Sequence, residues 1–247
     1  MTLRCGVIVT VGMLASAAAG CAGGGAPPAP TPRPDISGTW INRGGQALRP
    51  ADGPVPLTPW GAKRQKAERP TLSDPNFLET TDPAVLYADP NGYPRILVHP
   101  MKFKLVQTDD YVYELWEYNQ NWRQIALNRS HSPDEAPTWY GNAVGTWQGD
   151  TLVVDSTGYR SSTWLDGRGL PHTEDLHLVE RIRREGDMLA IDFTFDDPGA
   201  FTKPWSTQWK FERVQDGQMV ETIFTISDEL RFRERFLGVP SPIPIRR

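Results

Sequence analysis

The chain has 247 residues, 38% hydrophobic and 23% charged, with a net charge of −4 and two cysteines. That length holds one domain with a substantial core, or two small ones. With 26 basic against 30 acidic residues there is no basic footprint, which sets nucleic acid aside as a partner. Two cysteines, at positions 5 and 21, cannot build a zinc ribbon, an iron–sulfur site or a disulfide scaffold.

Arg4 precedes a small, apolar run from Gly6 to Gly20. The run is too short to span a bilayer of about 30 Å comfortably and reads as the core of a secretion signal. Its end, Ala18-Ala19-Gly20-Cys21, resembles a bacterial lipobox. That resemblance implies removal of residues 1–20, acylation of Cys21 and a membrane partner reached through the lipid. Ala22 stands where an aspartate would signal inner-membrane retention, so the resemblance implies a periplasmic protein anchored to the outer membrane. The alternative is an ordinary signal cut after a small residue, or an uncut anchor.

Residues 21–34 contain Cys21 and then AGGGAPPAPTPRP, too rich in Pro and Gly for a core and suited to an extended tether. A single β-barrel domain is expected over 35–247. Within its irregular lead-in, 35–100, Ile36 to Trp40 reads as a first strand. Ten prolines from Pro50 to Pro100 forbid long helices and central strands. One helix is expected from Thr58 to Glu68, with Thr58 as N-cap and Pro59 at the first helical position. A lead-in this long should wrap the domain or cover the mouth of a barrel.

From Lys102 the text becomes strand-like. Strands are expected at 102–108, 111–117, 122–128, 142–147, 151–157, 175–184, 188–195, 206–214 and 218–226, separated by turn residues such as Gln148-Gly149-Asp150. With the first strand this makes about ten. An antiparallel meander of that length closes on itself. The expected class is all-β, an up-and-down barrel of 8–10 strands, with the meander over 101–230 and an extended tail over 231–247. Arg231 to Phe236 alternates charge and ring like an edge strand.

Gly38-Thr39-Trp40 on a first strand resembles the opening of lipocalin-like (calycin) barrels. A longer resemblance runs from Pro94 to Trp205. The strings PTWYGNAVGTWQGDTLVVDSTGY, TWLDGRGLPH, LHLVERIRR and DPGAFTKPW resemble an uncharacterised family of exported bacterial proteins. The matching positions include Pro137, Trp139, Gly141, Trp147, Gly149, Asp150, Asp155, Trp164, Asp166, His172, Glu180 and Arg181. Its members often carry a cysteine before Gly-x-Pro-Arg, and Asp82 to Arg95 here has none. The resemblance implies an exported barrel and no particular reaction.

No nucleophile elbow and no glycine-rich phosphate or dinucleotide fingerprint occurs, and no cofactor is expected. Four histidines remain: His99, His131, His172 and His177. His177 and Glu180 differ by an odd number and should point to opposite faces of a strand. A zinc shell of His131, His172 and His177 is conceivable, but turn-capping histidines are the simpler reading, and no metal is assigned. General acid–base chemistry would use His131 and His172, with Asp166 or Asp155 orienting one imidazole and Arg129 or Arg181 holding an oxyanion. Trp139, Tyr140, Trp147 and Trp164, with His177, Glu180 and Arg181, would line a ligand cavity. The same tryptophans would otherwise plug the barrel.

Three functions follow as expectations. The first is a lipoprotein binding a small apolar, aromatic or glycosidic ligand in an aromatic-lined barrel cavity. The second is a cofactor-independent lyase, isomerase or hydrolase acting through His131 and His172. The third is a structural envelope lipoprotein.

Overall fold

A computed structural model describes residues 33–45, 47–70, 80–215, 217–225, 227–228, 231, 234–235 and 238. Arg33–Arg247 forms one compact unit. The signal segment, Cys21, the tether up to Pro32 and most of the tail expected over 231–247 lie outside the described residues.

Nine strands form a closed barrel: β1 (Gly38–Asn42), β2 (Lys102–Gln107), β3 (Tyr111–Trp116), β4 (Trp122–Leu127), β5 (Asn142–Gln148), β6 (Thr151–Thr157), β7 (His177–Glu185), β8 (Met188–Asp196) and β9 (Trp205–Val214). Each strand pairs with its neighbour in sequence, and β1 closes the ring by pairing with both β2 and β9. Closure leaves no sheet edge to be covered. The two-residue loop Gly149-Asp150 joins β5 to β6, with Gly149 at φ +64°, where a side chain would be strained. Alternate residues face inward, so Val112, Glu114 and Trp116 of β3 are buried between half-exposed neighbours.

The all-β barrel agrees with the reading of the sequence, and three details differ. Among the described residues there are nine strands, within the expected 8–10 but one fewer than the ten runs read from the sequence. The segment 217–225 is irregular, touching the barrel through an isolated bridge between Tyr118 and Thr222. With β1 and β9 already paired, its β-branched and aromatic residues find no strand edge to join. Secondly, β4 and β5 run parallel, over only three residue pairs from Ile125–Ala143 to Leu127–Gly145. A parallel pair needs a long crossover, which 128–141 supplies, so the meander is not wholly up-and-down. Thirdly, described residues 231, 234 and 235 are helical and not part of an edge strand.

The core is aromatic. Trp40, Tyr93, Phe103, Tyr159, Phe193, Phe195 and Phe211 are among the largest side chains withdrawn completely from water. Phe195 stacks on Trp205 at 4.4 Å, and Phe103 meets Phe211 edge-on at 5.1 Å. These rings form the aromatic centre of the core.

The lead-in does close over the barrel. Thr58 caps α1 (Pro59–Ala67), with its hydroxyl accepting from the Gly61 amide at 3.0 Å. Asp82 caps the short α2 (Pro83–Leu86) and holds Arg95 in a bidentate pair. Residues 91–98 are all buried, and Tyr93 carries its hydroxyl to the barrel centre.

Helix α1 is anchored where Gly61 meets the Ala200 carbonyl. A Cβ there would lie 2.5 Å from that backbone oxygen. Alanine adds about 1 kcal/mol of helix propensity, but overpacking against fixed backbone costs about 1–3 kcal/mol. Gly61→Ala is therefore expected to lower the thermal midpoint by roughly 2–4 °C in a melting experiment, against the rise that propensity alone would give.

Candidate functional site

The barrel interior holds one group that an aromatic core does not explain. Arg123, on the inner face of β4, is 3% exposed. Its Nε donates to Glu114 of β3 at 2.7 Å, and its Nη2 donates to both Glu180 oxygens of β7 at 2.9 and 3.0 Å. The Tyr93 hydroxyl donates to Glu180, and the guanidinium lies 3.6 Å from the centre of the Tyr93 ring. Four groups from β3, β4, β7 and the lead-in thus meet in the middle of the barrel.

Two carboxyls share one guanidinium, so their charges do not balance if both ionise. Burial pushes Glu114 up to about 7, Arg123 opposing the shift and Glu180 adding to it. Burial also works against the charge on Arg123, but Glu114 and Glu180 outweigh it and hold the guanidinium protonated. Tyr93 is raised well above the usual phenol range, chiefly by burial.

The network is incompletely satisfied. Glu114 Oε1 and Arg123 Nη1 are buried without a hydrogen-bond partner among the described residues. Beside them β4 and β5 separate. The stretch before their three paired residues opens a cleft of about 370 Å³, lined by Trp122, Arg123, Gln124, Thr138, Tyr140, Gly141 and Asn142 among others. The Thr138 and Tyr140 hydroxyls are also unpartnered there, and Tyr140 leans on Trp116 at 5.0 Å between rings. Tyr159 presses on Gly141 from the other side: a Cβ on Gly141 would lie 2.5 Å from the ring and 2.9 Å from its hydroxyl. At φ +72°, Gly141 allows this close approach and the turn into β5 together. Three residues lining this cleft, Arg123, Thr138 and Tyr140, therefore keep a buried polar atom without a partner among the described residues. Buried polar atoms of this kind call for a partner, whether water or ligand.

The residues chosen from sequence fall into separate places. His131 and His172 share no partner, contrary to their expected role as an acid–base pair. His131 Nε2 and His177 Nε2 both bond Asp155, each at 2.9 Å, in a partly exposed cluster at the barrel rim. Burial of Asp155 is outweighed by these two imidazoles, which lower its pKa. Among the described residues no group of three or more His, Cys, Asp or Glu side chains is arranged to hold a metal ion. His172 is buried within the connection between β6 and β7. There its Nδ1 lies 2.9 Å from the Thr173 carbonyl and its Nε2 2.8 Å from the Thr163 hydroxyl. Burial keeps this imidazole neutral by lowering its pKa.

Asp166 orients no imidazole; it accepts from the backbone amides of Leu48, Arg168 and Leu170 and so ties the lead-in to a loop. Arg129 is exposed over the Tyr111 ring, and Arg181 is exposed with a long contact to Gln148, so neither faces the interior. Trp139 lies under Arg160, and Trp164 is buried under Arg95. Trp147 is half-buried with its indole nitrogen unpartnered. Of the chosen set, Glu180 and Tyr140 join the central site. His177 and Glu180 do point to opposite faces, as their spacing requires.

Sequence reasoning passed over Glu114, Arg123 and Tyr93. A signal for the first two was present. Glu114 has the parity of Val112 and Trp116, and Arg123 that of Ile125 and Leu127, so two charges fall on apolar faces. Tyr93 gave no such signal, because it reaches the site from an irregular segment.

Because the Glu114 pKa is raised on folding, its protonated form favours the native state. That contribution is fully present below about pH 4.5 and is lost as pH rises to about 7. Buried His99, lowered to about 4, slopes the opposite way between 4 and 6.5, so raw stability curves mix the two. The stability of wild type minus that of Glu114→Gln cancels the histidines. In urea titrations this difference should fall by about 1.4 kcal/mol per pH unit at most between pH 4.5 and 7, then level off. A flat difference would show that Glu114 titrates normally.

No protein-family model, curated protein or solved structure matches this chain.

Proposed function

We propose that this protein binds a small, flat, uncharged molecule at the β4–β5 seam, with a ligand oxygen reaching Arg123 Nη1 and the Tyr140 hydroxyl. One observation carries the reading: Arg123, Thr138 and Tyr140 line the cleft, and Arg123 Nη1, Thr138 Oγ1 and Tyr140 Oη are buried without partners among the described residues. The Trp116–Tyr140 ring pair and Trp122 favour a planar ring. Glu114 and Glu180 disfavour an anion, and burial beside a guanidinium disfavours a cation. In this reading the ligand is reached through the seam in the barrel wall. We further propose that the barrel is displayed by an exported lipoprotein, acylated on Cys21; the lipobox-like Ala18-Ala19-Gly20-Cys21 supports this.

A second reading, proton transfer on the bound molecule, is favoured by Glu114, whose pKa near 7 suits a general base or acid at neutral pH. For an aryl methyl ketone, Glu114 Oε1 would take a proton from the carbon beside the carbonyl. Arg123 and Tyr140 would hold the enolate oxygen, and Glu114 would return a proton to the carbon. This moves the expected acid–base chemistry from His131 and His172 to Glu114.

The probe is 4-hydroxyacetophenone. Calorimetry should show saturable binding, weakened about tenfold in Tyr140→Phe, the loss of one hydrogen bond worth about 1.4 kcal/mol. No binding, or equal binding by Tyr140→Phe, would contradict the seam as the site. In D2O, exchange of the probe's methyl protons should accelerate with wild type and not with Glu114→Gln; equal rates would remove the second reading alone. For the anchor, cells fed an alkynyl fatty acid should label the wild-type protein, and Cys21→Ala should lose the label and leave the membrane fraction. Retention of label by Cys21→Ala would refute lipidation at that residue.

A further inference from the structure

A second cleft lies away from the seam, between α1 and the loop that joins β6 to β7. It measures about 580 Å³ and includes Trp60, Arg64, Ser161, Ser162, Glu174 and Asp175 in its walls, with Thr163 and His172 also lining it. Trp60, at the second position of α1, is 46% exposed, and Arg64 follows one turn later on the same helix face. An indole left open beside a wall of hydroxyls and charges is an unusual use of a large apolar side chain.

The lining is rigid where it is buried. His172 and Thr163 spend their polar atoms on each other and on backbone carbonyls. Gly92 supports Thr163 from behind, since a Cβ there would fall 2.6 Å from the threonine side chain. Thr173 is held by two bonds to Asp197, at 2.6 and 2.7 Å. The exposed groups keep free bonding capacity. Arg64 uses its Nε on Glu68 at 2.8 Å, and Ser161 makes only a long 3.4 Å contact with Glu174.

We propose that this cleft binds a neutral saccharide. The charges select against ions of either sign, because an anion would face Glu174 and Asp175 and a cation would face Arg64. An uncharged polyol uses both: its hydroxyls donate to the carboxylates and accept from the guanidinium and the serines. The apolar C–H face of a pyranose ring lies on the open face of Trp60. The site is distinct from the seam and does not depend on what the seam binds.

The test is calorimetric titration of the purified protein with chitotriose, maltotriose and mannotriose, and separately with choline. At least one trisaccharide should bind. Trp60→Ala should weaken that binding tenfold or more, and Glu174→Gln should weaken it several-fold, while Glu114→Gln leaves it unchanged. Trp60 and Glu174 are exposed, so both variants should retain the wild-type circular dichroism spectrum. Failure of all three saccharides to bind, binding that survives Trp60→Ala, or choline binding at the same site would each overturn the proposal.

Discussion

Taking a guanidinium out of water is the constraint around which the interior of this barrel is arranged. An isolated buried charge is prohibitive, so Arg123 must be met by partners on more than one side. Glu114 comes from the neighbouring strand, Glu180 from β7, and Tyr93 supplies both a ring face and a hydroxyl from the lead-in. The long irregular segment before β2 is therefore more than a cover: it carries one wall of the polar centre. Burial pushes the Glu114 carboxyl up toward neutral pH, and the second carboxyl, Glu180, adds to the shift. Buried ion clusters seldom stabilise a fold better than apolar residues of the same shape. Their presence in this aromatic core is what the proposed ligand would account for.

Topology supplies the access. Eight of the nine strand junctions are antiparallel, and the exception, β4–β5, is held by three residue pairs. Antiparallel pairing along the full length would have closed this seam in the wall beside Arg123. The parallel crossover instead leaves the two strand beginnings apart, with Gly141 and Tyr159 shaping the gap.

Much of this architecture is legible locally. Thr58-Pro59 starts a helix because a side-chain cap and a fixed φ act within four residues, and Gly149-Asp150 makes a hairpin for equally local reasons. The misread strand over 218–226 shows the limit: Val220, Ile223 and Phe224 have strand composition, yet pairing depends on a free edge elsewhere in the fold. The parallel seam was hidden for the same reason, since nothing within 128–141 states which way β5 will run. At the site, the inward parity of Glu114 and Arg123 is readable, whereas the histidines belong to the rim cluster of His131, Asp155 and His177 and to the structural imidazole of His172. Asp166 shows why residue type alone misleads: a carboxylate near an imidazole in sequence is used here to gather three backbone amides.

Whether the polar centre exists for the ligand or for the fold is decided by replacing it whole. The variant Tyr93→Phe, Glu114→Leu, Arg123→Met, Glu180→Leu removes every charge and hydroxyl of the cluster while keeping its bulk. Its thermal midpoint and its binding of 4-hydroxyacetophenone are to be measured together. The account predicts a cooperative melt at or above the wild-type temperature with binding abolished. A collapsed melting transition, or binding at wild-type strength, would contradict it.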